Sequence, residues 1–111
     1  MVEQYDIYWT KLDPTQGGEM AKTRPCVVIS PTGLNKHLKT VIVIPITSTI
    51  RNVSFRVHCF LSGREGEIAV DQIRSIDKGR LKRKIDKLSN KEIDKLRDCL
   101  LYTSPSPRDA Y

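Results

Sequence analysis

The stretch "TRPCVVISPTGLNKHLKTVIVIPI", residues 23–46, decides the fold. Its two apolar runs, in "RPCVVIS" and "TVIVIPI", are continuous rather than alternating and rich in β-branched side chains. Such runs suit strands covered on both faces, where branched side chains pack well and no polar face is required. The segment between them, "PTGLNKH", has the proline, glycine and asparagine of a turn-rich connection. Pro45 donates no ladder hydrogen bond, so it is expected to mark the end of its strand or an edge of the sheet.

Upstream, "DIYWTKLD" at residues 6–13 alternates as a first strand, with Ile7, Trp9 and Leu12 facing a core. The intervening "PTQGGEMAKT" suits a long connection, and connections of that length inside compact domains are often functional. Downstream, "SFRVHCFL" at residues 54–61 sets Phe55, Val57 and Cys59 against Arg56, His58 and Phe60, predicting a half-buried strand. A turn "SGREGE" then leads into one further strand, "IAVDQIRSID". Five or more short strands with few helices argue for a mainly β (α+β) chain folded as a small barrel or strongly curved sheet. Ser89 and Glu92 in "SNKE" have the spacing of a capping box, so a helix should follow with Ile93, Leu96 and Leu100 as its apolar stripe.

At 111 residues the chain fits one domain, and 39% hydrophobic with 29% charged residues is a globular composition. A core of this size is modest, and a partner subunit would help it. The longest apolar run falls far short of the ~20 residues of a membrane span, and the first residues lack a signal-peptide pattern, so no membrane or export role is expected. The domain is expected over residues 1–101. The terminal "TSPSPRDAY" can neither continue a helix nor pack, which marks residues 102–111 as a non-native or disordered tail.

Cys26, Cys59 and Cys99 are odd in number, with no C-x-x-C spacing or nearby histidine. They read as reduced, packed thiols of a cytoplasmic protein, neither a zinc site nor a disulfide framework. Glu65 and Glu67 flank Gly66 in the expected turn and the two histidines are distant, so no metal site or cofactor is expected. His37 and His58 are weighed as an acid–base pair, but each is explained as a solvated surface residue. The net charge of +6 favours acidic or phosphate-bearing partners. That excess equals the net charge of "KGRLKRKIDKLSNKEIDKLR", residues 78–97, where interleaved acids suggest a solvated helix and turn face.

Arg24 stands apart. The residue before a proline is pushed towards extended backbone, so "TRP" launches a strand with a guanidinium at the end of a glycine-rich loop. That group stays protonated, donates in a planar fork and matches two phosphate oxygens. The alternative is an arginine in a surface salt bridge at the strand entrance. Thr47 can satisfy turn backbone or donate to a phosphate oxygen, and Glu19 can be a base or a loop charge.

Together, "YDIYWTKLDPTQGGE", "TRPCVVIS", "IVIPITS", "GEIAVDQIRSIDKGRL" and the terminal helix resemble, in order and spacing, the MazF/PemK family of toxin endoribonucleases. The resemblance implies an SH3-like small β-barrel of the CcdB/PemK type with short helices and a C-terminal helix, acting as a homodimer. It implies metal-independent cutting of single-stranded RNA at short motifs, silenced by a cognate MazE-like antitoxin. It places Arg24, Thr47 and Glu19 in catalysis, and Lys22, Ser48, Arg51 and Gln72 are expected at the RNA. Related loops often read "GSEQ" where this chain has Gly17, Gly18, Glu19 and Met20, which bears on the motif that is cut. Two other readings are a CcdB-like toxin that binds DNA gyrase and a barrel that binds nucleic acid without cutting it.

Overall fold

The computed structural model describes residues 2–12 and 23–103. The strands are β1 (Asp6–Lys11), β2 (Thr23–Val28), β3 (Thr40–Thr47), β4 (Arg56–Leu61), β5 (Arg64–Ala69), β6 (Arg74–Asp77) and β7 (Leu81–Lys87), with helices α1 (Thr32–His37) and α2 (Asn90–Thr103). Two 3₁₀ turns, Val70–Gln72 and Lys78–Arg80, flank β6. The sheet runs β4-β5-β3-β2-β1-β7, with β6 also paired to β3.

The two apolar runs lie side by side, Cys26 opposite Pro45 and Val28 opposite Val43. Both faces of these strands are buried, as their composition predicts. Val27, Ile44 and Ile46 join Ile7, Val57, Cys59, Ile68 and Leu96 in one core cluster, while Cys26, Val28, Val41 and Val43 join Leu12 and Ile76 in another. Ile7 and Leu12 therefore serve opposite faces, and Trp9 is only half buried.

Along its other side, β3 changes partner. Thr40–Val43 pair with β6, whereas Ile46 and Thr47 pair with β5. Pro45 sits in this break, neither ending the strand nor lying on an edge strand. Because the Ile42 carbonyl accepts from Ile29 on the β2 side, alternation along the strand turns the nitrogen of Pro45 to the opposite side, where no strand neighbours it. A missing donor costs nothing there.

Other segments depart from expectation for local reasons. Ser62 and Gly63, with φ of 52° and 79°, make a two-residue turn between β4 and β5. Two positive-φ residues match the twist of a hairpin, so Glu65 and Glu67 belong to a strand rather than to the turn. "IAVDQIRSID" is broken by the 3₁₀ turn into the end of β5 and all of β6. "PTGLNKH" contains the short α1, whose Asn35 is buried and bonded to Ser30. Part of the basic segment is β7, an edge strand with exposed Lys82, Arg83, Lys84 and Lys87. Lysine on an edge keeps it from pairing with other chains, and such a strand has too few apolar residues to betray itself by pattern.

The capping box closes as expected. Ser89 N–H donates to Glu92 Oε1 at 3.0 Å, and Glu92 N–H donates to Ser89 Oγ at 3.2 Å. Leu96 is fully buried and Cys99 nearly so, between the half-buried Ile93 and Leu100. Leu96→Ala is expected to cost about 3 kcal/mol, since it removes packing and leaves a cavity. A urea titration showing a shift under a quarter of that would mean that the helix does not seal the core.

Candidate active site

Antiparallel register brings distant residues into one row. Thr10 pairs with Arg24, Thr47 with Glu67, and Glu67 with His58. Continuing the β2–β3 register two residues beyond Cys26–Pro45 sets Arg24 opposite Thr47. Directly paired residues share a face of the sheet, so Thr10, Arg24, Thr47, Glu67 and His58 form a single row across five strands.

Arg24 is partly exposed in this row, and no ion-pair partner for it occurs among the described residues. The salt-bridge reading therefore finds no carboxylate there. Thr47 sits where β3 ends. Its Oγ accepts from Thr49 N–H at 3.1 Å, which uses a lone pair and leaves the hydroxyl hydrogen for another acceptor. Gly66 permits the close approach of β5: a Cβ there would lie 3.1 Å from the Thr47 carbonyl oxygen.

The main residue missed in sequence is Glu67, only 1% exposed. Its Oε1 accepts from Arg51 N–H at 3.0 Å and its Oε2 from Asn52 N–H at 2.9 Å. Asn52 has a φ of 54°, the left-handed conformation that asparagine tolerates, and this aims its amide at the carboxylate. The segment after Thr47 is thus tied down onto β5.

Arg56, expected on the solvent face, has a side chain only 7% exposed. Its Nε donates to Asp71 Oδ1 at 2.9 Å, and its Nη1 lies 3.9 Å from Glu67 Oε1. Burial alone would raise the Glu67 pKa. The two backbone amides, then Arg56 and His58, outweigh burial and hold it below the usual carboxylate value. An acid immediately before the apolar "IAV", residues 68–70, was the available signal.

Ser48 and Arg51 are exposed on the segment held by Glu67, and Gln72 is exposed on the 3₁₀ turn adjoining Asp71. The Arg56 bridge thereby connects the two segments that carry them. Glu19 and Lys22 lie outside the described residues. His37 and His58 are not brought together. His37 ends α1 near the start of β3, His58 lies level with the end of β3, and about 20 Å of strand separates the two levels. His58 Nε2 instead meets Glu65 Oε2 at 2.7 Å.

Among the described residues no group of histidine, cysteine and acidic side chains could hold a metal ion, and no helix is long and apolar enough to cross a membrane. The three cysteines are buried and none is in a disulfide. Burial pushes the Cys26 thiol up to about 11 and the Cys59 thiol up to about 12, so both stay protonated near neutrality and are poor nucleophiles. What the row offers chemically is a cation and a hydroxyl donor on one face of adjacent strands, a combination suited to an anionic oxygen.

Residues 3–103 match the family model described as a PemK-like, MazF-like toxin of type II toxin–antitoxin systems. The chain is 33% identical over 106 residues to the endoribonuclease MazF of Staphylococcus saprophyticus, covering 90% of this chain and 88% of that relative. It superposes with a TM-score of 0.78 and 22% identity on a MazE–MazF structure from Deinococcus radiodurans, over 95% of this chain and 97% of the other. A mycobacterial endoribonuclease in complex with its cognate antitoxin gives a TM-score of 0.77 at 19% identity, over 96% of this chain and all of the other. The curled sheet and C-terminal helix are those of this fold, in agreement with the barrel expected from the sequence.

Proposed function

The chain belongs to the PemK-like, MazF-like toxin family of type II toxin–antitoxin systems, and on that premise we propose that it is a metal-independent endoribonuclease cutting single-stranded RNA at short sequence motifs. The observation that carries the reading is the β2–β3 register, whose continuation sets Arg24, without an ion-pair partner among the described residues, opposite Thr47. A relative named as an endoribonuclease supports it.

In the proposed reaction the 2′-oxygen of a ribose bonds to the adjacent phosphorus while the bond from phosphorus to the 5′-oxygen breaks. The 2′-hydroxyl proton passes to a base, the role assigned to Glu19, and a proton reaches the departing 5′-oxygen. Products are a 2′,3′-cyclic phosphate, which water can open to a 3′-phosphate, and a 5′-hydroxyl. Arg24 neutralises the dianionic phosphorane. Proton donation is the poorer role for it, because a guanidinium with a pKa above ~12 is a reluctant acid near neutrality. Thr47 donates its hydroxyl hydrogen to a nonbridging oxygen. Lys22, Ser48, Arg51 and Gln72 contact the RNA, whose unstacked bases expose their edges for reading.

The working state proposed is a cytoplasmic homodimer silenced by a MazE-like antitoxin. An acidic, partly disordered segment of that partner would fold over the RNA groove. The domain proper spans residues 1–101, with 102–111 as a tail.

Incubation with a long single-stranded RNA in excess EDTA tests the reaction. Cuts at a recurring motif with 5′-hydroxyl ends are expected. Cutting abolished by EDTA, or 5′-phosphate ends, would overturn the mechanism, and no cutting by the folded protein would favour a binding toxin.

A further inference from the structure

Along the outer edge of β4, one main-chain N–H, that of His58, is without a partner among the described residues. Phe60 N–H points away from β5, since it donates to Glu92 Oε2 of α2 at 2.9 Å. Arg56 N–H points the same way, to the Val53 carbonyl at 3.1 Å. Backbone groups alternate along a strand, so the N–H and C=O of His58 lie on that same outer edge, between two positions whose N–H groups the protein itself satisfies. His58 main chain has no partner there among the described residues.

Beside this gap is a cleft of about 310 Å³ between β4 and α2, lined by Ser54, Arg56, His58, Lys95, Asp98 and Cys99. The Lys95 ammonium has no ion-pair partner among the described residues. The His58 imidazole is partly exposed and braced edge to face by Phe60, with ring centroids 5.1 Å apart and planes at 86°.

An added peptide strand does not fit this edge, because it would find a single free N–H, the donors of Arg56 and Phe60 being taken within the protein. A planar heterocycle with adjacent donor and acceptor does fit, and every nucleobase presents such a pair on its pairing edge. A ring beside it offers stacking, and an unpaired ammonium offers a phosphate contact.

The geometry points to a nucleotide subsite in this cleft: one unpaired base bonds the His58 main chain and stacks on its imidazole, with its phosphate at Lys95. That the nucleotide belongs to the substrate strand, flanking the cut, rests on the RNA-cutting reading. His58 stands two strand spacings from Thr47 in the cross-strand row, about 10 Å, so one RNA strand reaches both.

The full chain, labelled for NMR, is titrated with each of the four ribonucleoside 5′-monophosphates and with ribose 5-phosphate. At least one nucleotide is expected to move the His58 amide and the Lys95 signals at millimolar concentration, and ribose 5-phosphate to leave the His58 amide in place. A His58 amide unmoved by all four, or moved equally by the base-free sugar phosphate, overturns the subsite whether or not the protein cuts RNA. His58→Ala and Lys95→Ala, both at partly or fully exposed positions, should each weaken nucleotide binding about tenfold, within the range that lost stacking spans. On a long RNA the same variants should raise KM about tenfold at constant kcat, and the effect should vanish on a short RNA confined to the cut. Nucleotide binding with no change in KM on long RNA would overturn the substrate-strand assignment and leave a free nucleotide as the ligand. An equal change on the short RNA would overturn it in favour of an effect through the catalytic row.

Discussion

Replacing Arg24 with alanine is expected to lower kcat for RNA cutting by about 10²- to 10³-fold, the usual cost of losing one strong donor to a developing oxyanion. The loss should fall on kcat more than on KM, because the phosphorane carries more charge than the ground-state phosphate and the guanidinium interacts with it more strongly. The fold should survive, since the side chain is only partly buried and has no ion-pair partner among the described residues. Arg24→Lys keeps the charge but not the planar fork, so its activity should fall between the two. Single-turnover rates on one defined RNA check this, with circular dichroism of each variant. Equal rates for wild type and Arg24→Ala would remove the arginine from the chemistry.

Glu67→Ala should be the most damaging change to stability outside the apolar core. It strips two backbone amides of their acceptor and removes one of the two carboxylates beside the buried Arg56 guanidinium, which keeps Asp71. Leaving two donors without their acceptor costs about 3 kcal/mol in all, at roughly 1–3 kcal/mol for each unsatisfied group. Thermal unfolding should register this as a fall in Tm of roughly 12 °C or more. The pH dependence follows from the same contacts. The folded-state pKa of Glu67 lies below its ordinary 4.5, so its stabilisation is fully present above about that pH and is lost as pH falls through the folded value. Glu67→Gln should therefore destabilise the protein at pH 7 and flatten the acid limb of the stability curve below pH 4.5. An acid limb identical to that of the wild type would mean that the carboxylate is not held ionised by its neighbours.

These two residues differ in how they could be recognised. Arg24 could be singled out as a candidate because its features are local: a cation before a proline, at the head of an apolar strand. Glu67 could not, because its meaning depends on what covers it. In sequence it reads as half of an acidic pair about a glycine. In the fold the Ser62–Gly63 turn takes the bend, the glutamate falls within β5, and the segment after Thr47 closes over it.

By itself the sequence determined the doubly buried central strands, the capping box that starts α2, the packed thiols, and the arginine and threonine later found in one row. Each of these rests on side-chain type and on spacing within a few residues, which the chain carries wherever it goes. Tertiary structure alone decided that Pro45 lies within β3 at a change of partner, that the basic "LKRKIDK" is an edge strand, and that Arg56 is buried between Glu67 and Asp71. It also placed at a cleft the one outward N–H of β4 that has no partner among the described residues, that of His58. Those properties belong to pairs of strands brought together from distant parts of the chain, and register between strands is written in no single segment.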